Sequence, residues 1–200
     1  MLKKLWIACC IFSAAQCAGT ETDNPAAPEG VDFLRSEKAY LSAVEVPGAD
    51  EQSLQEGNLA FALDLYRVVA AEASSDDNLF VSPYSVSTLM GMTYAGARGN
   101  TASQIASALH FDLDPSALHP AMNGLSQKLA AIGKAEESVV FEPLNALWMQ
   151  RNYEAQDSFL DVLSQQYDTG IYLADFAGEP EQSRQSINQW VSEATKGKIE

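Results

Sequence analysis

Cysteine, histidine and basic residues are scarce in this sequence, and each shortage argues against a class of function. The three cysteines lie at positions 9, 10 and 17, so the rest of the chain has no disulfide and no thiolate metal site. Lys and Arg number 12 against 27 Asp and Glu, which gives a formal net charge of −15. Phosphate contacts require clustered positive charge, so this composition argues against binding to nucleic acid. A strongly negative net charge is typical of a soluble protein.

Catalytic and nucleotide-binding motifs are absent as well. The sequence has no G-x-S-x-G, no H-E-x-x-H and no P-loop. His110 and His119 are the only histidines, and neither shares a helix face with a carboxylate at ligand spacing, so we expect surface or half-buried loop histidines. Ser82 and Ser85 are candidate nucleophiles, but no general base accompanies them in the sequence. We therefore predict no catalytic residue, no metal site and no cofactor.

The N-terminus has the pattern of a secretory signal. Lys3 and Lys4 form a basic start, and the apolar run over 5–15 is too short to span a bilayer. We assign residues 1–18 to a signal peptide, cleaved between positions 15 and 19. The sequence thus predicts a secreted protein, extracellular or periplasmic, without a transmembrane span.

Two features after this signal leave alternatives open. Cys17 is also a candidate for the lipid-modified first residue of a bacterial lipoprotein, although Gln16 stands where a small residue is usual. Residues 19–56 begin as a polar, proline-containing tether and continue as a segment that fits either a strand or loose docking. We expect the folded domain over 57–200.

A buried central helix is the strongest structural signal. Ser82 is placed to cap it and Pro83 suits its first turn, after a short predicted strand over 79–81. Capping and buried hydrogen bonding are the expected roles of Ser82 and Ser85. Apolar residues recur at helical spacing and predict its core face: Val86, Leu89, Met90, Thr93 and Tyr94.

Further elements follow from apolar periodicity, and together they predict an α+β protein. Trp148 and Trp190 lie on apolar stripes and are expected in the core. Thr101 is expected to cap a helix through a capping box. Helices are predicted over 58–73, 101–109, 115–132, 154–166 and 180–196, and strands over 138–149 and 168–176. The expected inward stripe of the first of these helices is Leu59, Ala62, Leu63, Tyr66 and Val69.

Several ordered motifs resemble the serpins, the serine protease inhibitor superfamily. NLAFALDLY over 58–66 resembles the first helix of that family, and NLFVSPYSVSTLMGMTYAGARGNTASQI over 78–105 its next strand and helix. NALWMQ over 145–150 resembles the second strand of the main sheet. INQWV over 187–191 and TKGKI over 195–199 resemble the helix that lies across that sheet. The resemblance covers residues 57–200 and implies helices packed on a large central mixed β-sheet, here incomplete because only the N-terminal half is present.

The resemblance implies a function and a partner. Serpins are protease inhibitors, not enzymes: a target serine (or cysteine) protease cleaves an exposed reactive-centre loop, which then inserts into the central sheet. The loop and its scissile bond are not in this sequence, so we expect a fragment of a longer product. A non-inhibitory serpin-fold binding or carrier protein is the alternative. No heparin site is supported, because the helix over 117–132 has only Lys128 and Lys134 nearby.

The resemblance also implies structural roles for particular residues. Ser82, Pro83 and Ser85 would belong to the "shutter" beneath the point where the sheet strands part. The helix over 180–196 would cover the sheet and shift during insertion. The resemblance implies structural roles as well for residues in the motifs NALWMQ, INQWV and TKGKI. These residues are Asn145, Trp148, Asn188, Trp190, Thr195 and Gly197.

Overall fold

Three strands and six helices form in the residues that the computed structural model describes, which are 26–74, 78–135 and 143–199. This composition confirms the predicted α+β class. In chain order the elements are β1 (Asp32–Leu34), α1 (Gly48–Glu72), α2 (Pro83–Gly96), α3 (Gly99–Leu109), α4 (Pro115–Ala135), β2 (Leu147–Gln150), α5 (Asp157–Tyr167), β3 (Ile171–Ala174) and α6 (Pro180–Ala194).

The strands form one small mixed sheet in the order β1-β3-β2. β2 runs parallel to β3, with Trp148 opposite Tyr172, and β1 runs antiparallel to β3, with Phe33 opposite Tyr172. The parallel pair is connected through α5, as parallel strands require a crossover. β3 is therefore the central strand of the three.

Both faces of the sheet are covered. Successive side chains of a strand point to opposite faces. Ile171 and Leu173 face a cluster that includes Met92 of α2, whereas Tyr172 faces Trp190 of α6. Near-continuous apolar strands are the expected consequence of burial on both sides.

α2 is the central helix, as predicted, and it contacts α1, α3, α4 and α5. The predicted core face is wrong in detail, because Thr93 is exposed. Since α2 packs against both core clusters, more than one of its faces is covered. Its buried residues are Ser85, Ser87, Gly91, Met92 and Ala95.

α1 differs from its prediction in extent and in orientation. It begins at Gly48, about ten residues early, and its buried residues are Leu54, Gly57 and Phe61. Leu59 is 63% exposed, so the predicted inward stripe is wrong. A Cβ at Gly57 would collide with the backbone oxygen of His110 at the end of α3. Because Gly57 has no side chain, α1 can approach the end of α3 closely, and the face of α1 that carries Gly57 is the buried one.

The segment before α1 is more structured than the sequence indicates. β1 and the first turns of α1 both lie within residues 19–56, which were expected to be a tether and a poorly defined segment. β1 forms because β3 offers it an antiparallel partner. Its three residues, Asp-Phe-Leu, are too few to show a strand pattern in the sequence. The domain boundaries given above, with the folded domain over 57–200, stay a prediction.

The strand predicted over 79–81 does not form, and Phe80 is 67% exposed. A strand requires a pairing partner, and within the described ranges this segment has none. The strand predicted from residue 138 begins at Leu147, with residues 136–142 outside the described part. α3 begins at Gly99 without a side-chain cap, so the cap predicted at Thr101 is wrong. Gly99 has φ +58°, which lets the chain turn from α2 into α3 over a short link.

Candidate functional site

Three aromatic side chains join the sheet to α6. The rings of Trp148 and Tyr172 stack with centroids 4.8 Å apart and an interplanar angle of 22°. Trp190 of α6 meets Tyr172 edge-on at 5.7 Å, and its indole Nε1 donates a hydrogen bond of 2.9 Å to the Tyr172 hydroxyl. We call these three residues the aromatic clamp. It fixes the position of α6 across the sheet by ring packing and by one buried hydrogen bond.

Sequence reasoning identified the two tryptophans of the clamp but not Tyr172. Tyr172 is only 1% exposed, although it lies on the opposite face of β3 from the apolar residues that marked the strand. Burial raises the pKa of its hydroxyl, and the hydrogen bond from Trp190 partly opposes this. No local pattern marked Tyr172, because its place in the clamp is set by its register opposite Trp148 in the neighbouring parallel strand.

A serine pair begins α2. Ser82 occupies the N-cap, Pro83 the first helical position, and the Ser82 Oγ accepts a hydrogen bond of 3.4 Å from the Ser85 backbone N–H. The two hydroxyl oxygens lie 2.9 Å apart. Ser85 is 5% exposed, so its hydroxyl must bond within the protein. The structure therefore confirms the capping of α2 by Ser82.

A second buried serine of α2 was not predicted. The hydroxyl of Ser87 donates a hydrogen bond of 2.7 Å to Oδ1 of Asn58 on α1. Beside this bond lies a cavity of about 370 Å³ between α1, α2 and α4. Asn58 lines it together with Gln55, Ser82, Tyr84, Leu125 and Leu129. The start of α2 therefore lies next to both the Ser87–Asn58 hydrogen bond and this cavity.

The remaining predicted residues lie around α6 and before β2. The Thr195 hydroxyl donates to the Val191 carbonyl at 2.8 Å and accepts from the Ile199 backbone N–H at 3.1 Å, so it holds the helix end. Gly197 has φ +75°, a left-handed conformation that closes the helix. Asn188 is exposed on α6, and Asn145 is half-buried in the segment leading into β2. These residues do not form one constellation with the serine pair.

Both histidines have partners away from the serines. His119 is 4% exposed inside α4, which corrects the expectation of a loop histidine, and its Nδ1 lies 2.8 Å from the Tyr167 hydroxyl. Burial lowers the pKa of His119 to about 4, so the ring is neutral at physiological pH. His110 ends α3 and its Nε2 lies 2.9 Å from an oxygen of Asp64. Among the described residues, the hydrogen-bond partners of the two rings are Tyr167 and Asp64, and neither ring is bonded to Ser82 or Ser85.

Over residues 26–74, 78–135 and 143–199, no three His, Cys, Asp or Glu residues are grouped so as to hold a metal ion. Within those same ranges, no helix combines the length and the apolar character needed to cross a membrane.

The fold and the clamp define the class of this protein: an α+β domain in which helices cover both faces of a mixed sheet. Residues 56–200 match the family model described as serpin (serine protease inhibitor). This chain belongs to the serpin family.

Named relatives are similar over part of their length. A serpin-like protein of Methanosarcina acetivorans is 28% identical over 200 residues, covering 99% of this chain and 45% of the relative. The leukocyte elastase inhibitor of Sus scrofa is 35% identical over 148 residues, covering 74% of this chain and 38% of the relative. The chain therefore spans less than half the length of these relatives.

A solved structure shows the same fold. The 2.8 Å structure of a tumour-suppressing serpin aligns with a TM-score of 0.62 at 23% identity, over 75% of this chain and 40% of the other. This agreement confirms the predicted fold class, as an incomplete serpin architecture.

Proposed function

We propose that the full-length product containing this chain inhibits a serine (or cysteine) protease by inserting a cleaved reactive-centre loop into its central sheet. Serpin-family relatives of this chain include proteins named as inhibitors, among them the leukocyte elastase inhibitor of Sus scrofa. The reactive-centre loop would lie in the part of the relatives' length that this chain does not span. The target protease would be selected by that loop.

The observation that carries this proposal is the position of α6 across the sheet. Trp190 rests on Tyr172, and Tyr172 in turn stacks on Trp148 of β2. β1 already covers one side of β3, so in the described part of the chain a further strand would enter beside β2. α6 lies on β3, the neighbour of β2, through Trp190, and in this proposal α6 would shift when the further strand enters. The aromatic clamp then sets part of the cost of opening the sheet.

We propose a supporting role for the serine pair. Ser82, Pro83 and Ser85 would stabilise the closed sheet indirectly, by fixing the start of α2. The support is their position: α2 contacts four other helices and carries Met92, which packs against Ile171 of the sheet. A shift of the start of α2 would therefore move residues that lie under the sheet. Asn145, Asn188, Thr195 and Gly197 are proposed to hold the sheet and α6 in place.

We also propose that the protein is exported. The basis is the sequence of residues 1–18, with its two lysines and its apolar run. The mass of the exported protein would distinguish cleavage between positions 15 and 19 from lipid attachment at Cys17. An uncleaved N-terminus starting at Met1 would contradict export by this route.

The inhibitor proposal is tested by incubating the full-length product with serine proteases of trypsin-like, chymotrypsin-like and elastase-like specificity. Loop insertion traps an acyl-enzyme, so a complex that survives denaturing gel electrophoresis is expected with at least one of them. Cleavage of the loop without such a complex would contradict the proposal and favour a binding or carrier protein.

A further inference from the structure

A segment ahead of α1 lies extended across the rest of the molecule and contacts it at many points. We call this segment, residues 31–46, the strap, and we call the described residues from α1 onward, 48–199, the body. The strap contains β1 and continues over α5 and α4, and it precedes the region matched by the family model, which begins at residue 56. We propose that the strap is a built-in peptide ligand. Its binding site is formed by the edge of β3, the C-terminal end of α5 and one side of α4.

The first part of the site is the edge of β3. β1 adds to this edge as an antiparallel strand, and the ring of Phe33 lies 4.7 Å from that of Tyr172. Just before β3, a Cβ at Gly170 would collide with the backbone oxygen of Leu34 and would lie 2.9 Å from Phe33. The three atoms nearest to that position all belong to the strap. Gly170 therefore leaves open the space that the strap occupies.

The second part of the site is the end of α5. Arg35 places its Nη2 2.6 Å from the carboxylate of Asp168 and donates from Nη1 to the Asp168 carbonyl at 3.3 Å. Arg35 Nε also donates to the hydroxyl of Ser164 at 3.2 Å. A guanidinium at this position neutralises the carbonyl dipoles at the C-terminus of the helix.

A further contact on α5 adds to the charge complementarity. Asp161 accepts a hydrogen bond of 2.6 Å from the Ser36 hydroxyl and one of 2.7 Å from the Lys38 ammonium group. These bonds, that of Lys38 first, lower the pKa of the Asp161 carboxyl. The basic residues of the strap thus meet acidic residues of the body.

The third part of the site is α4. Asn123 is fully buried, and its Oδ1 accepts a hydrogen bond of 2.6 Å from the Tyr40 hydroxyl. Its Nδ2 donates to the Leu41 carbonyl at 3.0 Å. The Leu41 N–H in turn donates to the Gln165 carbonyl at 2.9 Å. Without the strap, Asn123 would lose its bonds to Tyr40 and Leu41 and would keep those to Gln127 and Gln166.

A second glycine of the body makes room for the end of the strap. A Cβ at Gly124 would lie 2.7 Å from Cγ2 of Val46, and the neighbouring atoms within 4 Å all belong to Val46. The body therefore has space at two separate positions, Gly124 and Gly170, that the strap fills. With its buried Asn123, this is the construction of a binding site for an extended peptide. Filling it also covers a strand edge that could otherwise pair with another chain.

The test uses full-length protein in which only the body is changed. Gly170→Ala and Gly124→Ala each place a methyl group against the strap, and the second also favours the helix in which it lies. The control is Gly48→Ala, where a Cβ meets nothing within 4 Å. We expect the backbone amides of residues 32–41 to exchange with deuterium at least about tenfold faster in the two body variants than in the control. Amide exchange in α3, which is not part of the strap's binding site, should stay unchanged.

A second arm asks whether the site binds the segment as a separate peptide. Arg35→Ala combined with Tyr40→Phe weakens the strap and leaves the site intact. A labelled synthetic peptide of residues 28–47 should bind this variant saturably, and at least about tenfold more weakly to wild type, whose site is filled, and to Gly170→Ala, whose site is blocked.

Two results would overturn the proposal. One is equal amide exchange over residues 32–41 in the body variants and the control, or an increase that occurs only together with faster exchange in α3. The other is equal binding of the peptide to all three proteins. Neither readout depends on protease inhibition, so failure here is distinct from failure of the proposed function.

Discussion

The indole nitrogen of Trp190 donates a hydrogen bond of 2.9 Å to the hydroxyl of Tyr172, and both side chains are almost fully buried. This bond connects α6 to the central strand of the sheet. Replacing Tyr172 by phenylalanine removes this hydrogen bond and leaves the stacked rings in place.

Tyr172→Phe should lower the free energy of unfolding by about 1–3 kcal/mol, because the N–H of Trp190 would lose its partner inside the protein. Equilibrium urea unfolding measures the change. Tyr66→Phe is the matched control: Tyr66 is 55% exposed on α1, and its change should stay within about 0.5 kcal/mol. Equal effects of the two substitutions would show that the bond contributes nothing.

Acid should destabilise the protein through His119. Its pKa is about 4 in the folded state because of burial, against 6.5 when unfolded. Above pH 6.5 the ring is neutral in both states and this stability is fully present. As the pH falls from 6.5 towards 4, the unfolded chain takes up a proton that the folded chain does not, so stability is lost. The total is about 3 kcal/mol, since each unit between the two pKa values costs about 1.4 kcal/mol.

The measurement for His119 is the free energy of unfolding at pH 7.5 and at pH 4.5. His119→Asn keeps a polar atom near the position of Nδ1 and removes the titration. Wild type should lose about 2–3 kcal/mol more than this variant between the two pH values. The same loss in both proteins would assign the acid sensitivity to other groups.

Two glycines of α1 should respond oppositely to alanine. Gly57→Ala drives a methyl group into the backbone of His110, and neither backbone can move without separating α1 from α3. We expect a loss of about 1–3 kcal/mol, as for other overpacked core positions. Gly48→Ala meets open space at the start of the same helix and should be neutral or stabilise by up to about 1 kcal/mol. A neutral Gly57→Ala would show that the two helices are less tightly packed than described.

Ser85→Ala should lower the free energy of unfolding and should not abolish any hydrolytic activity. Its hydroxyl is buried and lies 2.9 Å from that of Ser82, so we expect a loss of about 0.5–2 kcal/mol. The exposed Ser107→Ala on α3 is the control. Thermal unfolding and an ester-hydrolysis assay are run together. Hydrolysis by wild type that disappears in Ser85→Ala would contradict the structural role and support a serine hydrolase.

The sequence was sufficient for local features whose cause lies within a few residues. The cap by Ser82, the proline at the first position of α2 and the core position of Trp190 all follow from spacing and residue type, and the structure confirms them. The ordered motifs also indicated the family, because their combination is long and specific.

Features set by contacts between distant segments were not predictable. The buried face of α1 depends on the approach of His110 to Gly57. Apolar residues lie on several sides of α1, so the sequence pattern does not show which side is buried. β1 exists because β3 presents an edge, and Tyr172 belongs to the clamp because of its register with Trp148. In each case the deciding partner is far away in the sequence.

The central claim is that the sheet of the full-length protein can take up an additional strand. The most direct measurement is the thermal unfolding midpoint before and after a protease cleaves the reactive-centre loop. Insertion adds a hydrogen-bonded strand, so the account predicts a rise of more than about 5 °C after cleavage. A midpoint that stays the same or decreases would contradict loop insertion.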